Sequence, residues 1–318
     1  MKDKEKTPNI IKKSFIFPGV NVNLETCDPS AADLCREYFD DYTQPACTVP
    51  FPTWAIRDRV CGLGQEPAYC ADGTQREITI LRREGENKKA MRQIRDLVML
   101  TDVQRGMAIF KGGAVVNNRG KGIVLIGEEG AGKTSLILES MLAGESEYRF
   151  VTNSHVGVGM DGGRVIAHGY PMGIGVRMEP LCAMSIKESQ SYRSLASAIK
   201  QESLGEDGRY YLDPSEIRPY FGGRVVAQAP VDAIVIVKNT PLGSGTVKRT
   251  IEPDKIRAWL EEYYTGHSTW DGNDLATTLG VNISAQVGSI DRILEKCPLH
   301  EIAYDITGGG VVELLDDL

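Results

Sequence analysis

The sequence has no long hydrophobic run. The longest uninterrupted apolar stretches, such as Ile123 to Ile126 and Ala233 to Val237, are far too short to cross a bilayer core of about 30 Å as helices. The Lys-rich beginning does not lead into the longer apolar segment and small-residue cleavage site of a signal peptide. We therefore predict no membrane span and no secretion, and residence in the cytoplasm follows by default.

The sequence also has fewer basic than acidic residues. There are 36 Lys and Arg residues against 43 Asp and Glu, which gives a formal net charge of -7. Nucleic-acid phosphates are usually bound by an excess of Lys and Arg on one face, so we expect no nucleic-acid partner. A basic stretch at residues 88 to 105 alternates with apolar residues at helical spacing, which is typical of a solvated helix face.

The seven cysteines include no CxxC pair, so the spacing typical of a zinc site is absent. Five of them lie within the first 70 residues. An odd number of cysteines in a chain with no export signal indicates reduced, structural thiols, with a metal or redox role as the alternative. We assign these cysteines no function.

Two regions differ in regularity. Residues 1–104 are predicted to form an N-terminal α+β region. Its part from Asn21 to about Glu86 is predicted to be irregular because Pro and Gly interrupt it, with a strand at Glu77 to Leu81, and a helix is predicted from about Asn87 to Thr101. Residues 105–318 are more regular and have many short strands per helix, which favours a mixed sheet over a doubly wound Rossmann sheet. The predicted fold class is therefore α/β with a mixed β-sheet, in two domains.

The second region yields a series of predicted elements. A hairpin is expected from its first strands, with a turn at residues 117 to 120. The predicted strands are Ala108 to Phe110, Gly113 to Val116, Gly122 to Ile126, Phe150 to Val151, Val156 to Val158, Val165 to Ala167, Gly175 to Arg177, Arg224 to Ala227 and Ala233 to Val237. The predicted helices are Thr134 to Leu142, Leu195 to Gln201, Pro214 to Tyr220 and Pro253 to Tyr264.

One motif is highly specific. Residues 127 to 134, GEEGAGKT, match the phosphate-binding pattern GxxxxGK[ST] without deviation, between an apolar strand and an apolar helix. Glycines allow the loop to turn its backbone N–H groups around a phosphate, and the helix N-terminus attracts the same anion. The sequence therefore predicts a P-loop nucleotide-binding core for ATP or GTP. The residues predicted to bind the nucleotide are Gly127, Gly130, Ala131, Gly132, Lys133, Thr134 and Ser135.

The residue types of the motif suggest individual roles. Lys133 is expected to reach the β and γ phosphates, and the Thr134 hydroxyl to bind Mg²⁺. Glu128 and Glu129 are unexpected beside a triphosphate, because like charges repel. Either both side chains point to solvent, or one approaches Mg²⁺ or the acceptor hydroxyl, and Glu128 is the preferred candidate for that second role.

The acid of a Walker B strand is missing from its usual place. The apolar run that ends at Val237 continues with Lys238 and Asn239, and its acid, Asp232, stands at its start. No NKxD-type guanine signature follows. A Ras-like switch or a motor ATPase is therefore disfavoured, and the metal-holding acid must come from elsewhere.

The stretch GGAVVNNRGKGIVLIGEEGAGK, followed by a helix and then by YRFVTNSHVGV and GYPMGIGV, resembles the HPr kinase and phosphoenolpyruvate-carboxykinase-like P-loop superfamily. The resemblance covers about residues 105 to 262. It implies a P-loop kinase core of that type, acting on a serine hydroxyl of a protein, on a free amino acid, or on a nucleoside in an antibiotic pathway.

In that family an acidic or Asn-Asp pair follows the strand after the P-loop helix, and one Asp acts as base and helps to bind the metal. Asn153 and Ser154 stand at the matching positions here, and His155 is next. Asn153 can hold a metal-bound water or a phosphate, but neither residue is a general base at neutral pH. His155 can act as one, although a satisfied histidine at a strand end explains it equally well.

Other candidates are less specific. The family often has a histidine at the start of its first hairpin strand, where this sequence has Lys111, which argues against a kinase of protein serine. Arg177 is a candidate to neutralise the transferring group and Glu179 to hold Mg²⁺, with an ordinary surface ion pair as the alternative. Tyr170 and Pro171 are expected to shape the acceptor pocket.

Two further segments have open interpretations. Lys248 and Arg249 follow a Gly-rich stretch, and they form either a lid over the phosphates or part of a solvated loop. Residues 267 to 274 are suited to holding a sugar or a base, with core packing of Trp270 as the alternative.

The sequence thus predicts an ATP-dependent, Mg²⁺-dependent kinase of a small metabolite hydroxyl, with a nucleoside-type intermediate as the preferred acceptor. A free amino acid or a protein serine is the alternative acceptor, and a nucleotide-binding regulator without turnover is the alternative of another class. A homo-oligomer is left open. The predicted catalytic residues are Lys133, His155, Glu128 and Arg177, and the predicted metal ligands are Thr134, Asn153 and Glu179.

Overall fold

The structure is a computed structural model that describes residues 9–44, 51–62, 64–142, 148–177, 208–212, 225–241, 243–251, 258, 275–281, 287–305 and 311–318. The predicted helices at Leu195 to Gln201 and Pro214 to Tyr220 lie outside these residues, as do the segment 267 to 274, Glu179 and, apart from Ala258, the predicted helix Pro253 to Tyr264. In the described part of the chain, no helix is both long and apolar enough to cross a membrane.

The helices fall in both halves of the chain. They are α1 (Pro29–Phe39), α2 (Lys88–Gln104), α3 (Lys133–Leu142), α4 (Leu275–Thr278), α5 (Val287–Leu294) and α6 (Val311–Asp316). The predicted helix Asn87 to Thr101 corresponds to α2, and Thr134 to Leu142 corresponds to α3. Both predictions placed the helix within a few residues of its observed ends.

The chain forms two compact units. The first comprises Met1–Arg105 with Trp270–Asn282, and the second comprises Gly106–Thr269 with Ile283–Leu318. Residues 270–282 were expected within a continuous domain at 105–318, and they group instead with the first unit. Here the carbonyl of Leu279, just after α4, accepts a hydrogen bond from Gln104 Nε2 at 3.1 Å. A return of the chain from one unit to the other leaves no compositional signal in the sequence.

The first unit contains one five-stranded mixed sheet. Its strands are β1 (Ile11–Phe17), β2 (Val20–Thr26), β3 (Thr53–Val60), β4 (Ala68–Asp72) and β5 (Glu77–Arg82). They are ordered β1-β2-β3-β5-β4, with parallel pairs at β2/β3 and β3/β5 and antiparallel pairs at the two edges. The predicted strand at Glu77 to Leu81 is confirmed as β5.

The same unit corrects the prediction that residues 21 to 86 are irregular. Its core is built from alternating positions of the strands, such as Val22, Leu24 and Ile56, which are fully buried beneath α1 and α2. The alternation of apolar and polar residues in β2 was present in the sequence. It was obscured because Pro and Gly residues interrupt the segments between the strands.

The second unit is built on a six-stranded mixed sheet. The described strands of the whole unit are β6 (Ala108–Phe110), β7 (Gly112–Val116), β8 (Gly122–Ile126), β9 (Arg149–Thr152), β10 (Val156–Asp161), β11 (Arg164–Gly169), β12 (Ile174–Arg177), β13 (Arg209–Leu212), β14 (Gln228–Pro230), β15 (Ala233–Asn239), β16 (Val247–Thr250) and β17 (Leu299–Tyr304). The large sheet has the order β16-β17-β15-β8-β7-β9, and β14-β11-β10-β6 form an antiparallel second sheet. The predicted α/β class with mixed sheets is confirmed.

The large sheet is covered on both faces. Alternate residues of β8 and β15 pack on one side with α3 and Leu315 of α6, and on the other side with the second sheet and α5. All five residues of β8 are buried as a result. This arrangement explains why β8 has a continuous apolar sequence, since a central strand between two layers has no polar face.

Most predicted strands of this unit agree with the structure. β7 and β8 form the predicted antiparallel hairpin, and the Asn117 side chain closes its turn by accepting hydrogen bonds from the backbone N–H groups of Arg119 and Lys121. The strand predicted at Arg224 to Ala227 is wrong in its described part. Val225 makes a single bridge to Phe150, and β14 begins only at Gln228.

Candidate functional site

The GEEGAGKT loop joins the end of β8 to the start of α3. β15 runs parallel to β8 on one side and β17 runs parallel to β15, so the carboxyl ends of all three strands meet at the edge where the loop lies. Open α/β sheets usually bind their ligands at the carboxyl ends of parallel strands. The sheet therefore places the loop where a binding site is expected.

Two glycines of the loop are required by their neighbours. Gly132 has a φ of +94°, and a Cβ there would lie 2.7 Å from Cδ1 of Tyr304, at the end of β17. A Cβ on Gly127 would lie 2.5 Å from the carbonyl oxygen of Val237, in β15. The loop is thus pressed against the ends of both neighbouring parallel strands, and only glycine fits at these two points.

Tyr304 also connects the loop to the helix that follows it. Its ring is buried, and its hydroxyl donates a 2.7 Å hydrogen bond to Oε2 of Glu139, a buried residue of α3. A buried carboxylate normally requires such a partner. The contact fixes α3 against β17 and thereby holds Gly132 between them.

Lys133 turns back onto its own loop. Its ammonium donates hydrogen bonds to the carbonyl oxygens of Gly127 at 2.7 Å and Glu128 at 2.6 Å. Burial, together with the nearby charge of Lys111, lowers the pKa of Lys133 to about 8. The ammonium is therefore hydrogen-bonded to two neutral acceptors and, among the described residues, has no negative charge bound to it there. A negatively charged ligand at the loop would stabilise its charged form.

A cavity of about 180 Å³ opens at the N-terminus of α3. It is lined by Lys111, Glu129, Gly130, Gly132, Lys133, Thr134, Ser135, Leu138, Asn153, Ser154, Gly175, Val176, Arg177 and Arg209. Four of these side chains are cationic and, among the described residues that line it, Glu129 is the one carboxylate. Together with the unpaired N–H groups of a helix N-terminus, this excess of positive charge suits an anion.

Two of the cations face each other across a pair of strands. Arg177 of β12 and Arg209 of β13 are directly opposed in antiparallel register. Like charges in that position destabilise a sheet unless an anion lies between or beside them. Glu129 supplies part of that negative charge, since its carboxylate lies 2.5 Å from Arg209 Nη2 and 3.6 Å from Lys111 Nζ. The hydrogen bond from Arg209 and the charge of Lys111 lower the pKa of Glu129.

Two hard oxygen donors meet among the residues that line the cavity. The Thr134 hydroxyl donates to Oδ1 of Asn153 at 3.2 Å, so two of the predicted metal ligands lie together. Hydroxyl and amide oxygens are suitable ligands for Mg²⁺, which usually completes its shell with water and phosphate oxygens. In the described part of the chain, no group of three or more His, Cys, Asp and Glu side chains is placed to hold a metal ion.

The backbone beside Asn153 is unusual. Ser154 has a φ of +75°, a conformation that L-residues other than Asn and Asp rarely adopt, and its carbonyl accepts a hydrogen bond from the N–H of Gly112. Such backbone strain is concentrated at functional sites, where the surrounding structure maintains it. The strained residue lines the cavity and is the second residue after β9.

Several predicted site residues occupy other places. Glu128 is exposed and does not line the cavity, so Glu129, not Glu128, is the carboxylate of the loop that lines it. His155 is also not among the lining residues, and its carbonyl accepts a hydrogen bond from Thr152 Oγ1 at 2.8 Å. The structure therefore does not bring these two predicted catalytic residues to the cavity. Arg177, Ser135, Thr134 and Lys133 do line it.

Other expectations are corrected in the same way. Tyr170 is fully buried against Gly157 and belongs to the core, so it does not shape a pocket. Lys248 and Arg249 belong to β16 at the edge of the large sheet, and Arg249 lies 3.7 Å from Glu301, so they form no lid. Ala131, which was predicted to bind the nucleotide, is a buried residue of the loop.

Sequence reasoning did not identify Lys111 and Arg209 as parts of the site, and it considered Glu129 only as the less favoured of two neighbouring carboxylates. Lys111 directly precedes β7, and its position had been noted only as a departure from the family pattern. Arg209 is about 75 residues beyond the P-loop, and only the pairing of β12 with β13 brings it to Glu129. No local pattern in the sequence could have signalled that contact.

Comparisons with known proteins add little to this geometry. No protein-family model matches the chain, and no curated protein matches it. Among solved structures, it is similar to the Hpr(Ser) kinase/phosphatase from Coxiella burnetii, with 13% sequence identity and a TM-score of 0.31 over 66% of this chain and 92% of that chain. At that TM-score the likeness establishes neither a shared fold nor a shared activity.

Proposed function

We propose that the protein is a Mg²⁺-dependent phosphotransferase that binds ATP or GTP at the GEEGAGKT loop and phosphorylates a hydroxyl of a small metabolite. The observation that carries the proposal is the cavity at the N-terminus of α3, where the loop, Lys133 and three further cations surround one space. A nucleoside triphosphate needs this combination of inward N–H groups and positive charge.

Each residue has a role in this proposal. Lys133 leaves the loop carbonyls and binds the β and γ phosphates, while Thr134 and Asn153 would hold Mg²⁺. Bound there, the ion would supply positive charge that neutralises the phosphates. Lys111, Arg177 and Arg209 also line the cavity, and their charges would stabilise the negative charge that moves as the phosphoryl group is transferred.

The acceptor proton poses the main chemical difficulty. Glu129 is a poor base, because Arg209 and Lys111 lower its pKa and hold it in ion pairs. Phosphoryl transfer depends mainly on positioning and charge neutralisation, since its transition state is loose, so a weak base is tolerated. We propose a nucleoside-type alcohol as the acceptor, with a free amino acid or a protein serine as the alternatives.

A second function is favoured by one particular observation. Asn153 stands where an acid is expected, and no described lining residue replaces that acid without an ion pair. The site would then hold nucleotide as a regulatory ligand without turnover. Such a protein keeps the nucleotide affinity and lacks transfer to any acceptor.

One assay separates these functions. The full chain is incubated with γ-labelled ATP or GTP, Mg²⁺ and panels of nucleosides, amino acids and sugars. Label in a small product supports the phosphotransferase, and label on a polypeptide supports a protein kinase. Tight nucleotide binding with no labelled product from any panel would favour the regulator. Absence of nucleotide binding would reject both proposals.

Nucleotide binding is expected to take up protons near pH 8. The pKa of Lys133 is about 8 in the free protein, and bound phosphate raises it toward its ordinary value. A lysine that is half neutral before binding and fully charged afterwards takes up about half a proton at pH 8. Titration calorimetry in buffers of different ionisation enthalpy measures this uptake, which should shrink at pH 6.5 because Lys133 is already protonated there. A heat of binding that does not depend on the buffer at pH 8 would contradict the prediction.

A further inference from the structure

A second cavity of the second unit lies at the opposite end of the large sheet from the GEEGAGKT loop. It has a volume of about 490 Å³ and adjoins the starts of β8 and β15, through Lys121 and Asp232. The GEEGAGKT loop follows the other end of β8, five residues and about 16 Å along the strand. Volumes from about 300 Å³ upward are typical of small-molecule sites. The cavity, which we call the amino-end groove, therefore offers room for a separate ligand.

Three loops that are distant in the sequence bring four cationic side chains to the amino-end groove. The turn between β7 and β8 supplies Arg119 and Lys121, and the turn between β10 and β11 leads into Arg164. Lys296 follows α5. The chain as a whole has a net charge of -7, so this concentration of positive charge does not reflect its composition. Solvated protein surfaces normally intersperse charges of both signs.

Three of these cations have no anionic partner in the described part of the chain. Arg119, Arg164 and Lys296 form no ion pair with any residue that the structure describes. The Lys121 ammonium donates a 3.3 Å hydrogen bond to the backbone carbonyl oxygen of Asp316, which is a neutral acceptor. Side chains of like charge around one space repel one another, and an anion between them offsets that repulsion. The four cations therefore favour an anionic ligand.

The rest of the lining adds little negative charge. Asp232 is the one carboxylate among the described residues that line the groove, and its Oδ2 already accepts a 2.9 Å hydrogen bond from the N–H of Gly122. Cys297 is buried there, and its thiol donates to the carbonyl oxygen of Val231. Burial, together with the charge of Asp232, raises the pKa of Cys297 to about 11, so the thiol is neutral near pH 7. Four cations against one carboxylate leave an excess of three positive charges.

An anion with about three negative charges matches this excess. A diphosphate group carries about three near pH 7, since each phosphate group has a charge of roughly −1.5 to −2. Arginine guanidinium groups present paired N–H donors that fit two phosphate oxygens at once, and lysine ammonium groups bind the same oxygens as point charges. Two arginines and two lysines supply both kinds of donor in the groove.

We propose that the amino-end groove binds a small molecule with a diphosphate group, either inorganic diphosphate or an organic ester of it. Arg119 and Arg164 would bind phosphate oxygens through their guanidinium groups, and Lys121 and Lys296 would add ammonium donors. Among the described residues, none lines both this groove and the cavity at the N-terminus of α3. The proposal therefore does not depend on the proposed phosphotransferase activity.

The first test is calorimetry of the full-length protein with inorganic diphosphate, in buffer without Mg²⁺. Arg164→Gln and Lys296→Gln each keep a long polar side chain at an exposed position, so the fold should be unaffected. The double variant is expected to bind diphosphate at the groove at least about tenfold more weakly. Arg292→Gln, the same change at an exposed residue of α5 outside the groove, should leave the affinity unchanged. Unchanged affinity in the double variant, or no binding of diphosphate by the unaltered protein, overturns the proposal.

The P-loop of the proposed function can also take diphosphate, so the same titration is made with Lys133→Ala. We expect two binding sites in the unaltered protein, of which Lys133→Ala removes one and the double variant removes the other. A single site that survives in Lys133→Ala and is lost in the double variant would uphold the groove while rejecting the P-loop. A single site that only Lys133→Ala removes would reject the groove.

Competing anions separate the chemistry and the source of the ligand. Citrate also has about three negative charges, but they are spread over separate carboxylates, so it should bind Lys133→Ala protein more weakly than diphosphate. Equal binding of both would mean attraction by charge alone and would overturn the proposal, as would binding of an oligonucleotide or polyglutamate without binding of diphosphate. A nucleoside diphosphate that binds the groove more tightly than inorganic diphosphate would assign the group to an organic carrier, and weaker binding would assign it to the free anion.

Asp232→Asn is expected to act in the opposite direction. The amide keeps an oxygen acceptor for the N–H of Gly122 and removes the one carboxylate among the described lining residues, so diphosphate should bind at least about twofold more tightly. The ligand-free protein should unfold at nearly the same temperature, because the hydrogen bond to Gly122 is retained. Weaker binding of diphosphate in this variant would contradict an anionic ligand at the amino-end groove.

Discussion

Lys133→Ala is expected to reduce phosphoryl transfer to background, a loss of about a thousandfold or more, while the protein stays folded. In the proposed function the ammonium of Lys133 binds the β and γ phosphates, and alanine offers no donor in its place. The fold should tolerate the change because, in the described part of the chain, the ammonium is hydrogen-bonded to two carbonyl oxygens of its own loop, at 2.7 and 2.6 Å. The measurement is the initial rate of product formation, together with the melting temperature of both proteins.

His155→Ala is the matched comparison for this variant. His155 does not line the cavity, so its removal should cost much less activity than the removal of Lys133. Equal and complete losses in the two variants would show that His155 acts as the base after a rearrangement. Full activity in Lys133→Ala would reject the P-loop as the phosphate site and with it the proposed function.

The GEEGAGKT loop and its surroundings were predictable because their signals are local. The pattern at residues 127 to 134 sets the spacing of the glycines, the lysine and the threonine within eight residues. The flanking β8 and α3 have largely apolar sequences. The hairpin of β7 and β8 was found for the same reason, since Asn117 and Gly120 mark its turn. Local backbone preferences and the pattern of burial favour the same secondary structure there, so such elements can be predicted from the sequence.

The electrostatic lining of the site was not predictable because it is assembled from distant segments. Arg209 meets Glu129 only through the pairing of β13 with β12, and Tyr304 meets Gly132 only because β17 inserts parallel to β15. The sequence likewise did not separate Glu128 from its neighbour Glu129, which is the one of the two that lines the cavity. Side-chain direction in a loop depends on the backbone path, and adjacent residues of the same type give no sequence signal to separate them.

Asp58→Asn is expected to destabilise the first unit by about 3 kcal/mol or more. Asp58 and Arg82 are both completely buried, and they form a bidentate pair: Nε donates to Oδ1 at 2.7 Å and Nη2 to Oδ2 at 2.9 Å. Thr26 also donates to Oδ2, at 2.7 Å. The amide introduced at position 58 must point its NH₂ group at one of these donors, which loses that hydrogen bond. The buried guanidinium of Arg82 also loses the negative charge of its partner.

The consequence should extend beyond the pair, because Arg82 also joins the starts of two helices. Its Nη2 donates to Asp28, whose carboxylate caps α1 at the N–H of Ser30, and its Nη1 donates to Asn87, at the start of α2. Urea denaturation followed by tryptophan fluorescence measures the loss, with Trp54 buried in the neighbouring part of β3 as a reporter. Lys12→Ala, which breaks an exposed ion pair with Glu25 in the same sheet, should cost less than about 1 kcal/mol.

A double variant distinguishes the loss of a favourable pair from the creation of an unpaired charge. Replacing both partners by apolar residues of similar volume, Asp58→Leu with Arg82→Met, removes both buried charges together and should recover most of the stability lost in Asp58→Asn. Asp28, which is partly exposed, can then be solvated and still cap α1. If the double variant is instead less stable than the single one, the ion pair itself stabilises the unit by more than apolar packing can, and its contacts to Thr26 and Asn87 act as one cooperative network.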